Sequence, residues 1–169
     1  MTTPVSPRLL ADWCVLPTSM GEFRLYDTGD EHVRVVCLGD LREQGARPLV
    51  RIHSSCLASE VFGARDCDCA DQLRESMKLM AAEGRGIIVH LHQEGRGHGL
   101  SWKIRAVRQM QQHQLDTVSS FEALGLEQDI RGYDGAVRVL QAVGIGAVRL
   151  ITNNPRKLGF LESAGIRAD

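Results

Sequence analysis

The alternation of helical and strand-like segments in the second half of the chain is the feature that most constrains its fold. Residues 68–83 place apolar side chains at helical spacing and stop at Gly84, a residue that favours helix termination. The β-branched run Gly86–Leu91 follows, and its composition is typical of a buried strand. The alternation continues with helical segments at 100–115 and 133–143 and a strand-like segment at 148–152. We therefore predict strand-helix-strand units with parallel strands.

The first third of the chain indicates a different kind of strand pairing. Glu22–Tyr26 and His32–Leu38 have strand composition, and turn-forming residues at 27–30 separate them, which favours an antiparallel pair. Pro48–His53 is a further strand candidate and leads into a cysteine-containing segment. The expected fold class is therefore α/β, or α+β, in a single domain over residues 1–169, with a mixed β-sheet flanked by helices.

Length, charge and hydropathy exclude several classes of protein. A chain of 169 residues can bury about two thirds of its unfolded surface around one core. The formal net charge of -1 provides no broad basic field, so we expect neither nucleic acid nor a membrane as a partner. The N-terminal residues lack the pattern of a signal peptide, and no window approaches the roughly 18 apolar residues of a membrane span. These features predict a cytoplasmic protein.

Cysteine usage points to a metal. The chain has 5 cysteines, an odd number, and a cytosolic chain keeps its thiols reduced. Cys14 and Cys37 lie in apolar surroundings, where we expect small buried side chains without a chemical role. Cys56, Cys67 and Cys69 are close together in the sequence, and we interpret them as ligands.

The spacing of these three cysteines suits zinc. Zinc prefers tetrahedral sulfur and nitrogen ligands, and three protein ligands leave a fourth position for water, which is the catalytic pattern. Water bound in that way is a nucleophile near neutral pH. Two alternatives stay open at this point. One is a structural site closed by His53 as a fourth ligand, and the other is a set of reduced cysteines without a metal.

Several motifs around the cysteines follow one another along the chain in a fixed order. They are Arg51–Cys56, Asp66–Gln72, Gln93–Leu100, Lys103–Ala106, Asp116–Val118 and Leu150–Lys157. In this order they resemble the catalytic domain of GTP cyclohydrolase II. The resemblance implies an α/β homodimer that opens the imidazole ring of GTP and releases formate and pyrophosphate, with zinc and magnesium present.

The resemblance also implies roles for individual residues. Cys56, Cys67 and Cys69 match the zinc ligands, which implies one Zn²⁺ per chain, with Mg²⁺ expected on the triphosphate. Asp129 matches an aspartate proposed as general base, and Arg131 matches an arginine proposed as nucleophile toward the α-phosphate. The positions that match nucleotide-binding residues are Arg51, Ile52, His53, Ser54, Ser55, Gln72, Glu94, Gly95, Arg96, Thr117, Thr152 and Lys157.

The chemistry of these side chains agrees with several of the implied roles. Arginine and lysine are natural partners of a triphosphate, and Arg51, Arg96 and Lys157 fit this need in a chain without a basic field. Glu94 is an acceptor suited to the N–H donors of a guanine edge. Arg131 is a demanding nucleophile because a guanidinium stays protonated in proteins. Stabilisation of phosphoryl charge is the easier role for it.

The chain departs from the family pattern close to the chemistry. The family usually has a tyrosine after the Lys103–Ala106 segment, whereas this chain has Val107. A tyrosine hydroxyl can hold water or assist proton transfer, and valine cannot, so we expect ring opening without loss of the formyl group. Phe121, His92 and His98 also depart from the pattern, and one of the histidines is a candidate replacement for the hydroxyl.

Two other functions stay open from the sequence. The zinc chemistry could act on another purine or pyrimidine nucleotide, although the intact triphosphate-binding positions favour GTP. A non-catalytic nucleotide sensor or structural zinc module would fit if the change at Val107 abolished turnover. The sequence does not decide between riboflavin biosynthesis and a specialised pathway.

Overall fold

Seven strands form one mixed sheet in the computed structural model, which describes residues 10–41 and 47–169. They are β1 (Trp13–Thr18), β2 (Gly21–Tyr26), β3 (Val33–Leu38), β4 (Leu49–Ser54), β5 (Gly86–Leu91), β6 (Ala147–Leu150) and β7 (Arg167–Ala168). Their order across the sheet is β1-β2-β3-β5-β4-β6-β7. From β1 to β5 the neighbours pair antiparallel, and from β5 to β7 they pair in parallel. The predicted fold class, with its mixed sheet, is confirmed.

Helices connect the parallel strands and cover the sheet. Those in the described ranges are α1 (Leu57–Glu60), α2 (Cys69–Glu83), α3 (Leu100–His113), α4 (Thr117–Ala123), α5 (Asp134–Ala142) and α6 (Pro155–Ser163). Capping residues mark the ends of three of these helices. Helix α2 stops at Gly84, whose φ of 70° lies in the left-handed region that glycine adopts without strain. The side chains of Asp116 and Asn154 accept hydrogen bonds from backbone amides in the first turns of α4 and α6.

Apolar side chains pack on both faces of the sheet. In β5, Ile87 and Val89 face one cluster with Leu140 of α5, whereas Ile88 faces the opposite cluster with Met80 of α2. This alternation follows from the two-residue period of a strand. Burial of each such side chain contributes roughly 1.5–3 kcal/mol, so the central strands are held from two sides.

The topology brings functional segments to one edge of the sheet. Strands β4, β5 and β6 are parallel, so their carboxyl ends point in the same direction. The chain leaves β4 toward Cys56, leaves β5 toward Glu94 and leaves β6 toward Lys157. In α/β sheets, ligands bind outside the carboxyl ends of the strands. The candidate site lies at this edge.

The predicted elements are confirmed within one or two residues, and others were missed. The predicted strands became β2 to β6 and the predicted helices became α2, α3 and α5. Strands β1 and β7 and helices α1, α4 and α6 were not predicted. Strand β7 and helices α1 and α4 are too short to show a clear periodicity, whereas β1 and α6 are as long as elements that were predicted.

One cysteine prediction is wrong. Cys37 is buried in the core, and its burial raises the pKa of its thiol to about 12. Cys14 is exposed. It lies on β1, the terminal strand of the sheet, where Trp13 and Val15 are each 50% exposed as well. Because an edge strand is covered incompletely, Cys14 is exposed although its neighbours in the sequence are apolar.

The N-terminal stretch used for the leader prediction lies partly outside the described residues, since the structure begins at residue 10. Within the described ranges, every helix is too short or too polar to span a bilayer.

Candidate active site

A cavity of about 380 Å³ opens at the carboxyl ends of the parallel strands. Most of the residues predicted from the sequence line it. These are Arg51, Ser54, Ser55, Cys56, Cys67, Cys69, Gln72, Glu94, Gly95, Arg96, Thr117, Arg131 and Lys157. They come from six separate segments of the chain, so the fold assembles one site from the predicted set.

The three predicted metal ligands meet at one side of the cavity. Cys56 precedes α1, Cys67 lies in a loop, and Cys69 is the first residue of α2. The Sγ atoms of Cys56 and Cys67 are 3.5 Å apart, and all three sulfurs lie within 4.8 Å of one another. Tetrahedral zinc with bonds of about 2.3 Å places its sulfurs about 3.8 Å apart. The donor set and its spacing therefore fit zinc.

The electrostatics of the cluster also favour a cation. Burial, and then the neighbouring sulfurs of Cys56 and Cys67, raise the pKa of the Cys69 thiol above its ordinary value. Three thiolates this close repel one another, and the repulsion is relieved when a divalent ion lies between them. Without a metal the raised pKa keeps the Cys69 thiol protonated, and a divalent ion would displace that proton.

His53 does not approach the cysteines in the way a fourth ligand would. It is 2% exposed, and its Nε2 lies 3.1 Å from Oε1 of Glu60, whose Oε2 lies 3.2 Å from Nε2 of His90. These three side chains have the spacing of a possible second metal site. However, Nδ1 of His53 faces the Arg51 guanidinium at 3.5 Å, whereas a metal-bound histidine usually donates its other ring N–H to an acceptor. We interpret the group as a hydrogen-bonded network.

Two buried cations and an amide line the cavity from three different elements, with Arg51 on β4, Gln72 on α2 and Lys157 on α6. The Arg51 guanidinium donates to the Ile151 carbonyl at 3.1 Å and to the Gln72 side chain. Lys157 is 6% exposed, and its Nζ donates to the Ile52 carbonyl at 2.7 Å. Burial, and then the charge of Arg51, lower the pKa of Lys157 to about 8. Buried cations whose hydrogen bonds go to carbonyl and amide oxygens, and not to carboxylates, are suited to an anionic ligand.

Asp129 and Arg131 form a two-bond ion pair beside the cavity. Nε and Nη2 of Arg131 donate to the Asp129 carboxylate at 2.8 and 2.7 Å, and Nη1 of Arg156 lies 2.9 Å from it. Burial acts to raise the pKa of Asp129, but the hydrogen bonds from Arg131 outweigh it and hold the pKa below its ordinary value. The hydrogen bond with Asp129 raises the pKa of Arg131 further. This pairing favours charge stabilisation over nucleophilic attack by Arg131.

The loop after β5 is unusually constrained. Arg96 has a φ of 57°, a left-handed conformation that is strained for a residue with a side chain. A Cβ at Gly97 would lie 2.8 Å from Ile130, so only glycine allows the loop to approach the segment that carries Asp129. Arg96 itself donates to the Gln128 carbonyl at 3.2 Å. The loop is therefore tied to the segment that carries Asp129.

Comparison with known sequences now decides the family. A sequence profile described as GTP cyclohydrolase II matches residues 10–168. The chain belongs to the GTP cyclohydrolase II family. It is 45% identical over 157 residues to the GTP cyclohydrolase-2 of Neisseria meningitidis, which covers 90% of this chain and 78% of that protein. The GTP cyclohydrolase-2 of Picrophilus torridus is 44% identical over 156 residues, with 90% and 80% covered.

Longer relatives contain the same segment within a larger protein. The riboflavin biosynthesis protein RibBA of Bacillus subtilis is 43% identical over 156 residues, which is 89% of this chain and 39% of that protein. This member of the GTP cyclohydrolase II family thus spans about 39% of the length of that relative.

The wall of the cavity at Val107 is largely apolar in this GTP cyclohydrolase II family member. Val107 lines the cavity together with Met110 and Phe121. His98 stacks on Phe121 with ring centroids 5.5 Å apart, and its Nε2 contacts the Glu127 carbonyl at 2.8 Å. These contacts place His98 behind Phe121.

His92 also lies away from this wall. It stacks on His32 at 5.9 Å and lines a neighbouring cavity. The two histidines considered as replacements for the missing tyrosine therefore lie elsewhere. The hydroxyl groups that do line the cavity come from Ser54, Ser55 and Thr117.

Three predicted substrate contacts are placed differently from the rest. The Ile52 side chain is in the core, His53 faces Glu60, and the Thr152 hydroxyl accepts the amide of Asn154 at 3.0 Å. These residues shape the backbone around the cavity instead of lining it. By contrast, Oγ of Ser55 is buried and has no hydrogen-bond partner among residues 10–41 and 47–169, which leaves it available to a ligand or water.

Glu94 accepts more hydrogen bonds within the protein than its predicted role as an acceptor for guanine suggested. Its carboxylate accepts from the Leu57 amide at 2.7 Å, the Gly95 amide at 3.2 Å and Nζ of Lys103 at 2.8 Å. The residue is 7% exposed. A carboxylate has about four lone-pair sites, so these three donors leave about one, on Oε2, for contact with a guanine edge.

Sequence reasoning also missed residues that the fold brings to the site. Lys103 was part of a recognised segment but received no role, although its ammonium lies against Cys56. Arg156 pairs with Asp129. Asn153 and Asn154 line the cavity. Only the position of Arg156 beside Lys157 could have indicated it from sequence.

Proposed function

We propose that this chain opens the imidazole ring of GTP by zinc-dependent hydrolysis and releases pyrophosphate. The observation that carries the proposal is the meeting of the three-cysteine cluster with Arg51, Arg131 and Lys157 in one cavity. A thiolate cluster suits a hydrolytic metal, and buried cations suit the phosphates. Membership of the GTP cyclohydrolase II family supports GTP as the nucleotide.

The cations would hold the triphosphate at the sheet edge. Arg51 and Lys157 are buried, and their N–H groups now donate to backbone carbonyls and Gln72. Phosphate oxygens are stronger acceptors than carbonyls and would draw these donors toward the cavity. Mg²⁺ would accompany the triphosphate and reduce its charge. The relative named for riboflavin biosynthesis supports a role in that pathway.

Arg131 and Asp129 would serve the phosphoryl end and proton transfer. Arg131 keeps N–H groups beyond those that bind Asp129, and they can stabilise negative charge that develops at the α-phosphate. Arg131 holds the pKa of Asp129 below its ordinary value and keeps it ionised, and the carboxylate would act as a general base toward attacking water once the phosphates draw Arg131 away from it. Zinc, when held by Cys56, Cys67 and Cys69, supplies Lewis acidity and a reactive water for hydrolysis.

We further propose that the product keeps its formyl group. Ring opening and pyrophosphate release each consume one water, and loss of formate needs a further hydrolysis. Val107 offers only methyl groups where the family has a tyrosine, and His92 and His98 lie outside the cavity lining. The wall formed by Val107, Met110 and Phe121 thus carries no phenol, and the hydroxyls of the cavity are the aliphatic ones of Ser54, Ser55 and Thr117. The expected product is the formylamino-pyrimidine ribonucleotide.

The test is incubation with GTP and Mg²⁺, followed by mass analysis of the nucleotide and separate assays of pyrophosphate and formate. Formylamino product with pyrophosphate and little formate supports the full proposal. Formate in an amount equal to pyrophosphate would agree with ring opening of GTP. It would contradict the proposal that Val107 prevents loss of the formyl group. Turnover of another nucleotide in place of GTP, or binding of GTP without turnover, would favour the other two functions. ATP serves as the matched control substrate.

We also propose a homodimer, on the basis of the family resemblance alone. The chain has a mass of 18.6 kDa, so light scattering separates the monomer from the dimer readily. A fully active monomer of that mass would contradict this proposal.

A further inference from the structure

Lys103 connects the candidate zinc site to a buried carboxylate. Its Nζ lies 2.9 Å from Sγ of Cys56 and 2.8 Å from Oε1 of Glu94. The Lys103 side chain is 20% exposed and that of Glu94 is 8% exposed, so water screens these contacts weakly. A lysine ammonium has N–H donors only, so it donates to both partners at once.

The fold holds this ammonium in place through several contacts. Lys103 lies in the first turn of α3, and its backbone amide donates to the Gly99 carbonyl at 3.1 Å. A Cβ at Gly95 would lie 3.2 Å from Cβ of Lys103, so the loop and the helix approach closely only because this residue is glycine. Glu94 also accepts the amide of Leu57, the residue after Cys56. Cys56 is thereby held through its sulfur and its backbone.

We propose that Lys103 is a positioning residue that donates a charged hydrogen bond to the Cys56 thiolate and so sets the electron donation and zinc affinity of the three-cysteine site. The inference rests on the proposed function, because it needs zinc at Cys56, Cys67 and Cys69. Three thiolates around Zn²⁺ leave one net negative charge, and the ammonium lies between this charge and that of Glu94 and offsets part of both. A donor to sulfur also withdraws electron density from the thiolate, which makes the metal a stronger Lewis acid.

The alternative role for Lys103 is to neutralise the charge of the Glu94 carboxylate without affecting the cysteine site. A spectroscopic measurement separates the two roles, since the sulfur-to-metal charge-transfer band of Co²⁺ reports electron density on the thiolates. We therefore compare the wild-type chain with Lys103→Met after loading each with Co²⁺. Loss of the hydrogen bond should move the band to longer wavelength, because electrons on an unbound thiolate are transferred more easily.

The second readout is zinc affinity, measured by competition with a chromophoric chelator at constant pH. Removal of contacts to metal ligands typically lowers metal affinity about 10- to 100-fold, and we expect Lys103→Met to fall in that range. Lys103→Arg keeps a charged N–H donor and should recover part of both effects. Lys78→Met is the matched control, because Lys78 is an exposed lysine on α2 that pairs with Glu75. It should change neither readout.

A double variant keeps the test decisive if Lys103→Met folds poorly because Glu94 is left without its cation. Glu94→Gln with Lys103→Met removes both charges. The band should stay displaced in the double variant if the hydrogen bond to Cys56 is responsible. Recovery of the wild-type band and affinity in that variant would show a merely structural role and overturn the inference.

Two further outcomes distinguish failure of the role proposed for Lys103 from failure of the proposed zinc site. A wild-type chain that binds neither Co²⁺ nor Zn²⁺ through its cysteines would overturn the zinc site and the inference together. Metal bound normally, with Lys103→Met unchanged in band position and affinity, would overturn the inference alone.

Discussion

The strongest test of the anion site is the replacement of Lys157 by methionine, because the structure predicts that stability and binding change in opposite directions. Lys157 is 6% exposed, and its pKa falls from 10.5 to about 8. At about 1.4 kcal/mol for each pKa unit, keeping this ammonium charged in the folded protein costs about 3 kcal/mol at neutral pH. Methionine removes that cost while preserving most of the packing.

The substitution also removes a hydrogen bond. The Ile52 carbonyl would lose the donor that lies 2.7 Å away, at a cost of about 1–2 kcal/mol. The net expectation is a gain of about 1–2 kcal/mol in the free energy of unfolding at pH 7, or a few degrees in Tm for a chain of this size. The assay is urea and thermal unfolding of the zinc-loaded protein.

The pH dependence follows from linkage. Between pH 8 and 10.5 the unfolded chain binds a proton at Lys157 that the folded chain has lost, so wild-type stability rises with pH across this window. The advantage of Lys157→Met should therefore be full below about pH 8 and narrow as the pH rises toward 10.5. A control variant at the exposed Lys78 should show no such narrowing.

The same variant should bind nucleotide poorly. A charged hydrogen bond to phosphate is worth about 1.5–3 kcal/mol, so affinity for a non-hydrolysable GTP analogue should fall about 10- to 100-fold. Lower stability of Lys157→Met than of wild type at pH 7, or unchanged analogue binding, would refute the reasoning that this buried charge is kept for an anion.

Three further predictions concern the metal and the chemistry. Val107→Tyr should raise the ratio of formate to pyrophosphate, because it restores a hydroxyl beside the cavity; an unchanged ratio on product assay would mean that Val107 does not control deformylation. Cys67→Ser should lose the approximately one zinc per chain expected by elemental analysis, since two thiolates hold zinc poorly in water. Asp129→Asn and Arg131→Ala should each lower kcat about 100-fold or more with zinc still bound, and near wild-type rates in either would remove its assigned role.

Local patterns were sufficient for the central elements. The run Gly86–Leu91 has the same limits in the structure as in the prediction, because β-branched residues between glycine and a polar loop favour a buried strand in many contexts. Helix α2 ends at Gly84 for an equally local reason. Exposure of Cys14 could not be predicted in this way, because it depends on β1 being at the edge of the sheet.

The candidate site likewise has features that the sequence indicates and features that only the fold decides. The sequence by itself indicated the three cysteines that meet at the cavity and its main cations, because residue type and order carry that information. Only the tertiary structure decided which donors meet which acceptors. Cys56 and Lys103 are 47 positions apart, and the ammonium reaches the sulfur only because α3 packs against the loop after β5. Glu94 likewise meets the Leu57 amide across 37 positions. Such contacts depend on side-chain direction and packing between distant segments, which local spacing does not specify.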